Sequence, residues 1–229
     1  MNIRLFFLFL LMLLGVVATS NAEDTALINP IAPVPLLSGD FEQYGYYTFR
    51  QDFRKCASPM CGGIFVKSVN HKVTRCADGR FRTECYLGTV DNRNNIPLKQ
   101  VALLRGFIRP TVFGGFGSFV LKSAFKPVSL QPGKGLFVGL WNNGLFCITS
   151  PCFSYNQYEL NTDVNRVISG LDLQGVKANE NVLQLAWDRL GNGQVLIAAG
   201  YNKKVQELAG VGTTFVANQI YLPIKPGAK

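Results

Sequence analysis

Along the chain, β-branched and aromatic residues gather into short runs broken by Gly, Asn, Asp and Pro, a pattern of strands and tight turns rather than of helices. The runs predict strands over residues 46–50, 64–69, 86–90, 101–108 and 118–125. A second series follows over 136–141, 154–160, 167–171, 194–201 and 214–222. Gly62-Gly63, Gly114-Gly115, Asn143-Gly144 and Asn192-Gly193 supply the turn chemistry between them. One stretch has a different period. Val182, Leu185, Ala186 and Arg189 recur at helical spacing, Asn179 stands where an N-cap belongs and Gly191 where a stop belongs, so residues 179–190 are expected to be helical. Residues 23–44, rich in proline at their start, predict an extended arm, and the tail after Pro223 predicts irregular chain.

The two series of strands carry matching landmarks. Cys56-Ala-Ser-Pro-Met-Cys61 and Cys147-Ile-Thr-Ser-Pro-Cys152 share a C-x4-C spacing with an internal Ser-Pro. An asparagine stands nine residues beyond each, at Asn70 and Asn161, and Val73 and Arg75 then match Val164 and Arg166. The register resumes at Asp91 and Asp172 once the segment from Cys76 to Cys85 is removed from the first series. Gly106 with Gly200, Phe119-Val120 with Phe215-Val216, and Pro127 with Pro223 continue the match. This self-similarity predicts a tandem duplication of a hairpin-rich β unit, with repeats at residues 45–131 and 132–229 packed as one compact barrel or sandwich. The helix is an addition to the second copy.

Residues 1–22 have the form of a secretory signal peptide: Arg4, an apolar run from Leu5 to Val17, and small Ser20 and Ala22 before the chain turns polar at Glu23. A spanning helix needs about 20 apolar residues, so the run is short for a membrane anchor. No other stretch is long enough to span, and a secreted or periplasmic protein is expected. Hydrophobic content of 48% against 16% charged residues argues for a packed core rather than disorder. The formal charge of +9 favours anionic surfaces, but the basic residues are scattered and define no nucleic-acid footprint.

Six cysteines in an exported chain predict three disulfides. The self-comparison selects the pairing. A segment that begins at Cys76 and ends at Cys85 reads as an inserted hairpin stapled at its base, which leaves Cys56–Cys61 and Cys147–Cys152 as equivalent local bridges. Thiolate zinc is the rival reading of C-x4-C, disfavoured by the spacing and by the compartment.

The segments Arg54-Lys55-Cys56 to Cys61-Gly62-Gly63-Ile64-Phe65-Val66-Lys67, Thr74-Arg75-Cys76-Ala77-Asp78-Gly79 and Glu84-Cys85-Tyr86 resemble a family of bacterial exported proteins, often lipoproteins, known only as a domain of unknown function. The likeness is sharpest over residues 46–91 and faint beyond about 130. It implies an envelope or secreted setting and no activity, ligand or catalytic residue. The lipobox cysteine of many members is missing here.

Catalytic motifs are scarce. The only histidine is His71, and the second series carries Thr162 in its place. All cysteines are assigned to bridges, which leaves no Cys–His or Ser–His–Asp arrangement, and nothing calls for a cofactor or a metal. Asp78, Glu84, Asp91, Asp163 and Asp172 keep open a hydrolase with two carboxylates. Matched residues such as Asn70 and Asn161, Arg75 and Arg166, and Gly106 and Gly200 suit scaffold roles. Function is therefore expected where the copies differ. The inserted hairpin places Arg75, Arg80 and Arg82 around Phe81, a combination suited to a protein partner or an anionic glycan of the envelope. The glycine-rich 113–118 stretch is a second candidate. The expected function is binding or a structural role without catalysis; a secreted hydrolase and a disulfide-clamped inhibitor or effector are the alternatives.

Overall fold

The structure, a computed structural model, describes residues 44–110 and 116–226. The expected signal segment, most of the extended arm, and residues 113–115 of the glycine-rich stretch lie outside the described residues.

The first half contains β1 (Gly45–Gln51), β2 (Ile64–Ser68), β3 (Thr74–Arg75), β4 (Phe81–Arg82), β5 (Cys85–Asp91), β6 (Leu103–Arg109) and β7 (Gly117–Pro127). The second half contains β8 (Leu136–Asn142), β9 (Tyr155–Glu159), β10 (Asn165–Ile168), β11 (Gly170–Asp172), the helix α1 (Glu180–Gly191), β12 (Leu196–Glu207) and β13 (Gly210–Pro223). The chain is mainly β, as its residue pattern predicts.

β1 pairs antiparallel with β2 and β6, β2 with β5, and β6 with β7, while β7 returns parallel to β5 with Phe119 opposite Val90. These pairings close on themselves as a ring of five strands. In the second half β8 pairs with β9 and β12, β9 with β10, and β12 with β13. β13 then lies parallel to β11, with Phe215 opposite Leu171. The halves join where Phe125–Pro127 pairs with Tyr221–Pro223. All strands except β3 and β4 thus belong to one 11-stranded sheet, folded ring-like into sandwiched layers rather than closed as a single barrel.

Alternation along the strands builds three cores. Val66, Leu87, Leu104 and Phe119 fill the first ring. Val138, Leu140, Leu196 and Phe215 fill the second half, with Ala186 and Leu190 of α1 packed against them. A third core lies between the halves, where Val69 and Leu103 meet Phe137, Leu160, Ile197 and Tyr221.

Two asparagines lock this junction. Asn70 and Asn161 adopt φ of 60° and 63°, a region that asparagine enters more readily than most residues. Asn70 Nδ2 donates to the carbonyls of Phe137 (2.7 Å) and Leu160 (2.9 Å), and its Oδ1 accepts from Phe137 N (2.8 Å). Asn161 does the same in reverse, with its Nδ2 on the carbonyls of Tyr46 and Val69 and its Oδ1 on Tyr46 N. Each side chain thus supplies the hydrogen bonds that an extra strand would have made to the opposite half.

Three elements differ from the sequence expectation. Residues 167–171 do not form one strand: Ser169 breaks the run into β10 and β11, its N–H and hydroxyl both engaging the backbone of Thr213. β12 and β13 run on to Glu207 and back from Gly210, well past the expected 201 and 214. The polar run Asn202-Lys203-Lys204 hides this hairpin, because an exposed ribbon needs no apolar alternation. In α1, Leu183 rather than Leu185 joins Ala186 and Leu190 against the core; both sets satisfy a helical period, and only packing chooses between them. Asn179 caps α1 as expected, its Oδ1 accepting from Val182 N at 3.0 Å.

Candidate functional site

The inserted hairpin is built from its turn outward. Gly79 takes φ +78° after Asp78, Gly79 N donates to Cys76 O, and Cys76 N donates to Arg80 O. Asp78 accepts from Arg80 N and from both terminal nitrogens of Arg82, the shorter contact being 2.6 Å. The Arg82 guanidinium, followed by the Arg80 amide, holds the Asp78 carboxyl below the usual carboxylate range. The disulfide does not staple the base of the hairpin: Cys76 closes the turn opposite Arg80, beyond the Thr74–Arg82 and Arg75–Phe81 pairs, and is bonded to Cys85 at the start of β5. Cys76 and Cys85 are 8% and 1% exposed, their disulfide belongs to the first core, and Ala77 packs there too. The Cys76–Cys85 segment therefore adds apolar side chains to the first core, as α1 does to the core of the second half, while residues 78–83 face water.

One step back from the turn the register sets Arg75 directly opposite Phe81, which is 66% exposed. Arg75 and Arg80 are exposed, and among the described residues neither has a carboxylate within ion-pair distance, whereas Arg82 is neutralised by Asp78. Of the four residues singled out in the sequence, Arg75 and Phe81 thus face each other in the open, Arg80 is exposed without an ion pair, and Arg82 serves the turn.

Beside the hairpin, the outer face of β1, β2 and β5 carries an arrangement that sequence reasoning missed. The Arg50 guanidinium lies 3.7 Å from the Phe65 ring centroid and grips Glu84 through two hydrogen bonds. Arg54 reaches over Phe65 and Tyr86, and Tyr86 meets Phe116 edge-on at 5.4 Å. Arg54 also binds the buried Asp52 through both carboxylate oxygens. Those Arg54 bonds, followed by its backbone N–H, lower the Asp52 pKa. Tyr86 donates its hydroxyl to Pro59 O at 2.9 Å and so anchors the Cys56–Cys61 loop. The strand register sets both Arg50 and Tyr86 opposite Phe65, a pairing between strands that no local pattern announces.

The third disulfide, Cys147–Cys152, clamps the corresponding loop of the second half. Ser58-Pro59 and Ser150-Pro151 are both cis. Leu145, Phe146 and Ile148 project from this loop into solvent, and Ala209 N donates to Ser150 O, which brings the tip of the β12–β13 hairpin alongside. With all six cysteines bonded in pairs, no thiolate remains for the zinc alternative.

The candidate carboxylates are dispersed. Asp78 pairs with Arg82, Glu84 with Arg50, and Asp91 with Arg93 and Arg109. Asp172 accepts from Gln174 N in the second half, and Asp163 sits in the turn before β10. None of the five lines the cavity of about 800 Å³ beneath the 126–133 segment, which has Lys126 and Lys177 at its edge. Buried Gln219 holds that segment in place, its Oε1 accepting from the amides of Val128 and Ser129 and its Nε2 donating to the carbonyls of Ser129 and Gln131. Tyr221, also against the cavity, has its hydroxyl pKa pushed up to about 12 by burial. His71 rests against the Ser68 hydroxyl at 3.2 Å.

These features define a disulfide-bonded, mainly β protein, and no helix among the described residues is long and apolar enough to cross a membrane. The chain belongs to the family described as Domain of unknown function DUF6748, whose model matches residues 45–227. The match covers both halves and so reaches far beyond the segment where the resemblance is sharpest. No curated protein and no solved structure matches the chain.

Proposed function

We propose that this is an extracytoplasmic binding protein whose inserted hairpin recognises an anionic glycan. The observation that carries this reading is that one short hairpin exposes the Phe81 ring opposite Arg75, together with Arg80, and that neither arginine has a carboxylate within ion-pair distance among the described residues. A planar guanidinium donates two parallel hydrogen bonds to a carboxylate or sulfate, and an aromatic ring offers a stacking face to a sugar. The buried disulfide and the Asp78 turn fix the hairpin before binding, so little ordering entropy is lost on association. The dispersal of the carboxylates into ion pairs favours binding over two-carboxylate hydrolysis. The signal-like residues 1–22 and the three disulfides support a setting outside the cytoplasm.

Binding to an array of acidic and neutral polysaccharides tests the proposal. Retention on acidic members that weakens with salt and falls about tenfold or more in an Arg75→Glu, Arg80→Glu variant is expected. Equal retention of wild type and variant would exclude the hairpin as the contact, and capture of an acidic protein alone would replace the glycan by a protein partner.

A further inference from the structure

The two C-x4-C loops occupy corresponding places in the two halves but differ sharply in chemistry. The first is flanked by Asp52, Arg54 and Lys55 and is tied down by Tyr86. The second carries no charge along its own chain: between Lys134 and Glu159 there is no ionisable acid or base other than tyrosine and disulfide-bonded cysteine. At its tip Phe146 is 97% exposed, Ile148 is fully exposed, and Leu145 is more than half exposed. Leu208, 92% exposed, stands on the adjoining hairpin turn, which the Ala209–Ser150 hydrogen bond holds against the loop. Large apolar side chains presented this completely, on a clamped loop, oppose the usual burial of such residues and mark a contact surface.

We propose that this tip docks the protein on a lipid bilayer by inserting Phe146, Ile148 and Leu208 below the headgroups. Three observations favour lipid over a protein partner. First, the side chains are almost completely exposed, with little of the fold packed around them; a bilayer accepts such a shape without complementary surface, whereas a protein partner needs a matching pocket. Second, the backbone on both flanks of the tip is paired within the loop, which leaves only the short tip itself to enter the lipid. Asn142 Oδ1 accepts from Gly144 N, Asn143 Oδ1 from Leu145 N, Asn143 Nδ2 donates to Phe153 O, and Ser154 N donates to Cys152 O. Paired groups leave water at little cost. Third, half-buried Trp141 and Tyr155 stand at the strand ends just behind the tip, the residue types that favour the headgroup level. The surplus of positive charge draws the molecule towards an anionic leaflet. This proposal is independent of glycan binding by the hairpin, which lies in the other half.

Flotation with phosphatidylcholine–phosphatidylglycerol vesicles tests it, on the chain from Glu23 onward. That chain keeps every described strand and core and removes the apolar run of residues 5–17. Wild type is expected to float with the vesicles, and to retain part of its binding in high salt, where a purely electrostatic attraction is screened. A Phe146→Ser, Ile148→Ser variant is expected to lose roughly tenfold or more in partitioning, while a Phe53→Ser, Met60→Ser variant of the first loop binds as wild type does. Because all four residues are exposed, circular dichroism should be unchanged in both variants. Failure of wild type to float, flotation abolished by salt, or undiminished flotation of the Phe146 and Ile148 variant would each overturn the proposal.

Discussion

At the scale of single residues, the junction depends on side chains that imitate backbone. Asn70 makes three hydrogen bonds to the opposite half from a left-handed backbone conformation. Asn70→Ala leaves Phe137 N and two carbonyls without their partner and forces an alanine to φ 60°, so a loss of about 3 kcal/mol is expected in urea unfolding. Asn70→Gly removes the same bonds without the backbone penalty and is expected to cost about 1 kcal/mol less. Equal losses in the two variants would show that conformation contributes nothing. Gly106 and Gly200 show the complementary case, where a side chain must be missing. A Cβ at either would lie 2.1 Å from a carbonyl oxygen of the neighbouring strand, Val120 or Val216, at the point where the register shifts.

Among the elements, the three disulfides are unequal although each closes a short loop. Cys76–Cys85 lies inside a core, whereas Cys147–Cys152 clamps an exposed loop that no strand depends on. Short closed loops contribute about 2–3 kcal/mol at most through chain entropy. Replacing Cys76 and Cys85 by serine adds the burial of two hydroxyls to that loss and is expected to lower the thermal midpoint strongly. The same replacement at Cys147 and Cys152 is expected to shift the midpoint much less while speeding proteolytic nicking between residues 143 and 154. A calorimetric comparison of the two variants checks the order, and a reversed order would mean that the inserted hairpin is not part of the first core. The helix fills the core of the second half through Ala186 and Leu190, so a hairpin segment and a helix do similar packing work in the two halves.

For the whole molecule, neither half is self-sufficient. The third core takes side chains from both, and Ile224, beyond the last strand, packs into the first core while its amide donates to Ala124 O. Residues 45–131 expressed alone are expected to give a poorly dispersed amide spectrum, because that half lacks Ile224 and exposes Val69 and Leu103. The complete chain is expected to unfold in one calorimetric transition. Two resolved transitions, or a folded isolated half, would contradict a shared core.

The strands, the helix with its Asn179 cap and the three disulfide pairings were legible in the sequence because each depends on short-range rules: a period of two or 3.6, a capping side chain, a bridge across a few residues. The scaffold role of Asn70 and Asn161 was legible from their matched places in the two series. What those two side chains bind was not, since their partners lie about 70 to 115 residues away along the chain. Tertiary structure also decided that Arg82 serves Asp78 while Arg75 and Arg80 stay free, that the insertion is half core, that Leu183 rather than Leu185 turns inward, and that Phe146 and Ile148 face water. Local sequence determines which conformations a segment can adopt at low cost. Which side chains are neutralised, covered or left exposed depends on neighbours that only the folded chain brings together.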